Sequence, residues 1–548
     1  MKKIFIAAIA LATLGLTSCE LDREPETTLS DTNFWKSESD FRGACNRFYT
    51  DLDGFWHDTR ADDLNGGVNA TSSGNWTVPA TSGDWTNPYN RIGKCNNAIE
   101  KIGASSQTDA IKNRWIAEAR FFRAYQYFEL VKKYGDVPLI LKPFDSTNDP
   151  EIKKSRTPRE EVIRQCYEDL DFAFKYLPDI DKVSKGAEWG RVSKSAALGM
   201  LTRIGLYEGT FSKYHKLGSD WKTHLQKCVS AAEEMIREGK HSLYPDFQKL
   251  FYFDGEGRQN RENVFVKVYG PDDAPTITHG NSRQLENWVF LTRNAVDQFL
   301  YSDGLPREKS PLVIHDETSY DDIFKNRDPR LGMTLYHIGE DAYKGAFIPF
   351  AYHKGYSIKK GFILSQWETN SRESVDKMII RYAEVLLSYA EALYELNGSV
   401  TDAQLDATVN KIRERAGFEA KLTNAFVEAN GLNMRDEIRR ERLVEFVDEN
   451  LRYSDIIRWK IAENVLPQAV VGAKFIDSET TTKREEFKNF LTDESGRLNG
   501  KQAYDEKDFY VLEQADTRKF DPEKDYLYPI PTYEIATSDG NVVQNPKW

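Results

Sequence analysis

Trp56, Trp76 and Trp85 fall in one polar stretch, residues 53–87, among Asp58, Arg60, Asp62, Asn65 and Asn75. An exposed indole face beside amides and charged groups suits a ring with an apolar C–H face and a rim of hydroxyls, which is the surface a sugar presents. Trp76 lies in Gly74-Asn75-Trp76-Thr77, with no helical period around it, and is the first candidate for a stacking platform. Asn75 and Arg60 would serve the hydroxyls beside it. The competing reading for Trp76 is a loop tryptophan folded back onto the core. Trp56, next to His57 and Asp58, is a second candidate. Trp85 comes just before a helical period and reads as structural, stapling the start of that helix. In a later region Trp288 and Trp367 are further candidates, Trp367 following Phe362-Ile363-Leu364 as if at the end of a strand. Trp35, Trp115, Trp221 and Trp459 lie in or beside helical stretches and read as core; Trp189 and Trp548 carry no binding signal.

The sequence carries little that could do catalysis. There is no His-Glu-x-x-His, no Gly-x-Ser-x-Gly and no phosphate loop. Asp62-Asp63 and Asp272-Asp273 are the right residue type for a glycosidase. Its two carboxylates must face each other across a sugar bond, however, and adjacent side chains point apart. The eight histidines show no metal-ligand spacing. No catalytic residue, metal site or cofactor is expected.

A different chemistry is written at the start. Lys2 and Lys3 precede an apolar run over residues 4–16, closed by Leu16-Thr17-Ser18-Cys19. The run is too short to span a bilayer as a mature helix and reads as a secretory signal. A cysteine directly after small residues resembles the bacterial lipobox, whose thiol is diacylated once the preceding peptide is removed. Residues 1–18 are therefore expected as signal peptide, Cys19 as the lipidation site, and residues 19–40 as the lipidated N-terminus and tether.

The rest of the chain must position the candidate residues. With 548 residues, a formal net charge of −12 and a pI near 5.4, nothing suggests nucleic acid as a partner. Cys45, Cys95, Cys166 and Cys228 are widely spaced, leaving disulfides and buried free thiols both open. Apolar residues recur at helical spacing over 89–102, 114–134, 160–177, 193–207, 225–237, 377–396, 402–415 and 434–447. The 114–134 segment has two apolar stripes, Trp115/Ala119/Phe122 and Ala117/Phe121/Ala124/Phe128/Val131, which predicts a helix sandwiched between neighbours. Arg439-Arg440-Glu441-Arg442 reads as a salt-bridged helical surface. Residues 58–87 and about 239–373 are punctuated by Gly, Pro, Ser, Asn and Asp and read as loops. The expected fold is mainly α: a tetratricopeptide-like helical-repeat scaffold with large irregular loop insertions and few short strands. Its N-terminal helical region is expected over 41–238 and its C-terminal region over 239–548, with the loop-rich insertion at 239–373 and helices over 377–460.

Six segments in order resemble the SusD/RagB family. They are Asp31-Thr32-Asn33-Phe34-Trp35-Lys36; Ala117-Glu118-Ala119-Arg120-Phe121-Phe122-Arg123-Ala124-Tyr125 running to Pro138; Phe299 through Asp303-Gly304; Asn326-Arg327-Asp328-Pro329-Arg330; Ile380-Arg381-Tyr382-Ala383-Glu384 through Leu393; and Tyr526-Leu527-Tyr528-Pro529-Ile530-Pro531 through Trp548. Where the family usually has an acidic-Gly-x-Arg turn, this chain has Glu449-Asn450-Leu451-Arg452; Asn is the best substitute for Gly at positive φ. Asp448, at a position where the family tends to be apolar, departs from it. The resemblance implies a non-catalytic, lipid-anchored outer-membrane protein facing the cell exterior. Such a protein would hold a glycan and sit as a lid over a SusC-like TonB-dependent transporter. The alternatives are capture of a peptide or glycopeptide, and a surface glycosidase.

Overall fold

The computed structural model describes residues 34–218 and 220–548. Cys19, the signal peptide and the tether up to residue 33 lie outside the described residues.

The scaffold is a succession of packed helices. α1 is Glu38–Thr50, α2 Gly83–Ala104, α3 Asp109–Tyr134, α4 Arg159–Tyr176, α5 Lys194–His215 and α6 Trp221–Glu238. Each of α2 to α6 packs on the next, as the predicted pairs require. α3 is buried on both predicted stripes, between α2 and α4. A helix buried over most of its surface must satisfy its buried polar side chains internally. Arg123 forks onto Asp169 at 2.7 Å and donates to Asn96 Oδ1 at 3.0 Å. Glu118 accepts from Arg191 at 2.7 and 3.0 Å and from the Tyr49 hydroxyl at 3.0 Å. The charged residues inside the apolar run thus tie α3 to α4 and α1.

α5 and α6 approach so closely that a Cβ on Gly205 would lie 2.7 Å from both Cys228 N and His224 O. Backbone cannot yield as a flexible side chain can. Gly205→Val is therefore expected to destabilise the protein by about 3 kcal/mol, read as a lowered calorimetric midpoint; an unchanged midpoint would contradict this contact.

After α6 the chain departs from the expected helices in two places. Residues 377–396 are not one helix: Lys377–Arg381 forms β2, antiparallel to β1 (Asn263–Lys267), and α7 begins only at Tyr382 and runs to Asn397. The run Met378-Ile379-Ile380 is compatible with both periods, and pairing with β1 decides it. The 402–415 segment is broken at Thr408 (φ −127°, ψ −89°) into Asp402–Ala407 and Val409–Arg415. α8 (Met434–Glu445) packs on α7, and α9 (Arg452–Arg458) packs on α5. β3 (Val470–Lys474) pairs with β4 (Phe509–Glu513), and every sheet among the described residues is two-stranded. The loop-rich region builds a second, aromatic core around Tyr320, Tyr336, Tyr343, Phe347 and Tyr356, which Phe475 joins from the segment after β3.

Trp115 and Trp459 are core, at 3% and 2% exposure, while Trp35 and Trp221 are half-buried. Cys45, Cys95, Cys166 and Cys228 are buried free thiols. The 439–442 run is salt-bridged as expected, but not on the surface: Glu441 and Arg442 are buried, Glu441 between Arg330 at 2.7 Å and Arg413 at 2.8 Å. The Arg–Glu alternation that usually marks a solvated helix face here faces other buried arginines.

Candidate functional site: an aromatic-walled cavity

A cavity of about 730 Å³ opens where the C-terminal half of α3, α5, β2, the start of α7, α9 and residues 526–529 meet the loop that follows α1. Trp56, Trp76, Tyr453 and Tyr528 contribute aromatic rings to its lining, with Arg60 among them. Arg60 forks onto Asp58 at 2.7 Å through Nε and Nη2, and Nη1 donates to the Tyr528 hydroxyl. Its guanidinium lies 4.3 Å from the Tyr453 ring centroid and 5.4 Å from that of Trp56. Trp76 meets Tyr528 edge-to-face at 4.3 Å and tilts against Trp548 at 5.8 Å. The fork and these ring contacts fix the wall's geometry in advance of any ligand.

The unusual turn found in the sequence explains how Trp56 is held. Asp448 and Asn450 both adopt positive φ, 60° and 62°. Asn450 Nδ2 donates to the Trp56 carbonyl and its Oδ1 accepts from the Asp58 N–H, each at 2.9 Å. His57 Nδ1 lies 2.7 Å from Asp448 Oδ1, both side chains being buried. The departure at Asp448 is thus a ligand for His57. Beneath the turn, Glu449 accepts from Lys360 at 2.6 Å and from Arg381 at 2.7 and 2.8 Å. Asn450→Ala removes two hydrogen bonds from the Trp56 segment. It should weaken ligand binding several-fold at a stability cost of about 1–2 kcal/mol; calorimetric titration beside thermal melting checks both.

Elsewhere the lining mixes apolar side chains with charged groups that are mostly ion-paired. Lys132 pairs with Glu129 and Lys133 with Asp84, each at 2.7 Å. Arg203 forks onto Glu384 at 2.6 and 2.7 Å. Lys377 Nζ donates to the Gly54 carbonyl at 2.6 Å, and burial pushes its ammonium down to about 8. No group of His, Cys, Asp or Glu among the described residues is arranged to hold a metal. Asp62 is engaged by Arg452 at 2.7 and 2.9 Å, and burial pushes neighbouring Asp63 up to about 8. Neither of these two carboxylates lines the cavity.

The sequence candidates separate into two places. Trp56, Trp76 and Arg60 line the cavity. Trp76 meets both readings offered for it: half-buried against Tyr528 and Trp548, it still lines the cavity. Asn75 is exposed beside Trp76, its Nδ2 donating to Ser73 Oγ at 3.1 Å, and is not in the lining. Trp85 lies inside α2, buried against Tyr89 and Tyr134. Trp288 and Trp367 lie outside this cavity, around the short helix Asn281–Asn287. Trp288 is 67% exposed. Trp367 does not emerge from a strand: it ends the helical turn Leu364–Trp367, its ring 3.9 Å from the Arg283 guanidinium and its Nε1 donating to Glu286 at 2.6 Å. Tyr453, Tyr528 and Lys377 were not singled out from the sequence. Tyr528 lies in the C-terminal segment that resembles the family and Tyr453 directly follows the Glu449–Arg452 turn, but no local period marks either as facing a cavity.

A helical-repeat scaffold whose loops and terminal segment wall an aromatic cleft defines the class. The chain belongs to the SusD family, whose profile matches residues 250–548; residues 54–206 match a second profile, described as starch-binding associating with outer membrane. Among curated relatives, SusD-like protein P2 of Formosa agariphila is 27% identical over 85% of this chain and 92% of its own length. A SusD-like protein of Bacteroides ovatus is 24% identical over 100% of this chain and 96% of its own. Among solved structures, a SusD-like carbohydrate binding protein from Bacteroides fragilis superposes with a TM-score of 0.74 at 25% identity, covering 92% of this chain and 99% of that one. Surface glycan-binding protein A from Bacteroides fluxus shares the fold at 19% identity, with a TM-score of 0.60 over 94% of this chain and 100% of its own. At the level of the family, glycan binding is supported.

Proposed function

We propose that this chain is a non-catalytic, cell-surface lipoprotein that captures an oligosaccharide or polysaccharide in the aromatic-walled cavity. It would then deliver the ligand to a SusC-like TonB-dependent transporter in the outer membrane. The observation that carries the reading is the convergence of Trp56, Trp76, Tyr453, Tyr528 and Arg60 on one cavity, whose volume of about 730 Å³ falls in the range of small-ligand sites. Rings stack on indole and phenol faces while the paired charged groups around them serve hydroxyls. Cys19 in Leu-Thr-Ser-Cys supports a lipid anchor, and no helix among the described residues is long and apolar enough to cross a membrane. One lipid anchors weakly, so a protein partner would help to retain the chain, and tethering it over a pore raises the ligand's local concentration there.

Isothermal titration against a panel of polysaccharides and peptides, with assay of reducing ends, tests this. Saturable polysaccharide binding without new reducing ends is expected. Binding of peptides alone would replace the glycan reading, and release of reducing ends would overturn the non-catalytic one.

A further inference from the structure

The cationic groups named in the lining are held by carboxylates, except one. Lys132, Lys133, Arg203 and Arg60 each have a carboxylate partner. Lys377 has no ion-pair partner among the described residues; its Nζ donates to the Gly54 carbonyl at 2.6 Å and lies 5.8 Å from the Phe55 ring centroid, so no carboxylate takes the remaining N–H donors of the ammonium group. Directly across the strand pair from Lys377 stands Lys267, its register partner in β1. Like charges so placed repel. Lys267 Nζ is held by the Leu52 carbonyl, so the two ammonium groups grip one turn, Leu52 to Gly54, which leads straight into Phe55 and Trp56. Arg91 lies 3.8 Å from Asp53, and Lys94 is paired with Asp51 at 2.7 Å. Four cations therefore stand against two carboxylates, Asp51 and Asp53, in a chain whose formal net charge is −12. Asp448, whose charge together with that of Asp53 also acts on Lys377, is itself engaged by His57.

We propose that Lys377 is the anion subsite of the cavity, taking the acidic substituent of a glycan, a carboxylate or a sulfate ester, while a neighbouring sugar ring lies against Trp56. This rests on the glycan reading of the cavity and adds the class of glycan. Gly54, Phe55, Trp56 and Lys377 share the lining, so ring and charge would be met side by side. An anion at Nζ would favour the charged form that burial disfavours. It would also relieve the repulsion between the paired lysines.

The test is affinity measurement on matched pairs: polygalacturonate and glucuronoxylan, each native and carboxyl-reduced, κ-carrageenan native and desulfated, with starch and laminarin as neutral members. At least one acidic polysaccharide should bind, and neutralising its acid groups should weaken it about tenfold or more. The responsive pair identifies carboxylate or sulfate as the source. Lys377→Met should produce a similar loss, and the two changes together no further loss. Lys377→Gln, which keeps a donor for the Gly54 carbonyl, should behave like Met, separating charge from support of the turn. Binding only of neutral polysaccharides, indifference to neutralisation, or additive losses would overturn the anion subsite while leaving glycan capture standing. Failure of every polysaccharide to bind would instead overturn the glycan reading, and this inference with it.

Discussion

Trp76→Ala is expected to weaken glycan binding about 30-fold or more, the loss of roughly 2–3 kcal/mol typical of a central aromatic anchor. The indole stands in the cavity lining with its position fixed by Tyr528 and Trp548, so little entropy is lost in ordering it when a sugar arrives. Alanine removes the stacking surface and also uncovers Tyr528, whose hydroxyl accepts from Arg60. Trp76→Phe keeps a smaller face and should recover part of the affinity. Titration calorimetry on both variants, with thermal melting as a control on folding, reads the effect. Unchanged affinity for Trp76→Ala in a folded protein would remove this residue from the site.

The largest effect on stability is expected from Glu445→Ala. Glu445 is fully buried at the end of α8, and burial alone would raise its pKa. The guanidinium groups of Arg415, Arg381 and Arg330 override this and hold its carboxyl far below the usual carboxylate range. Arg381 also bridges Glu262 and Glu449 at 2.7 Å each, so the cluster joins β2, α8 and the turn that carries Asn450. Removing the central anion leaves buried guanidinium groups partly uncompensated, which costs about 3–5 kcal/mol. The sign in pH follows from the depressed pKa. The contribution of Glu445 is complete above the pKa of an unfolded Glu, about 4.3, and falls away as pH drops below it. The gap in melting temperature between native protein and variant should accordingly be full at pH 7 and narrow in acid. A gap of the same size at pH 3 would contradict it. Because the cluster supports the turn beneath Trp56, the variant should also bind ligand less tightly at temperatures where it remains folded.

Much of the scaffold was legible because its helices carry strong local signals. The double stripe of α3 foretold its burial and its C-terminal end at Tyr134, though the helix begins five residues before the predicted 114, and Gly, Asn and Ser punctuation marked the loop that bears Trp76. What escaped depended on partners distant in sequence. Lys377–Arg381 reads equally as helix or strand until Asn263–Lys267 is laid beside it. Arg439 to Arg442 looks like a solvated face until Arg330 and Arg413 arrive from other segments. The cavity was half legible. Composition pointed to Trp56, Trp76 and Arg60, but the same composition picked out Trp288 and Trp367, which the fold places elsewhere. Tyr453 and Tyr528 join the wall through contacts spanning hundreds of residues, and Asp448, an oddity in the sequence, gains a purpose only when His57 is seen beside it.

The central claim is that glycan is held in the aromatic-walled cavity. A crystal structure with a bound oligosaccharide, chosen from the polysaccharides that bind in titration, tests it most directly. A sugar ring is expected against Trp56 or Trp76, its C–H face about 4 Å from the indole plane, with Arg60 within hydrogen-bonding reach of its hydroxyls. A ring stacked instead on Trp288 or Trp367, with the cavity holding only solvent, would contradict the account.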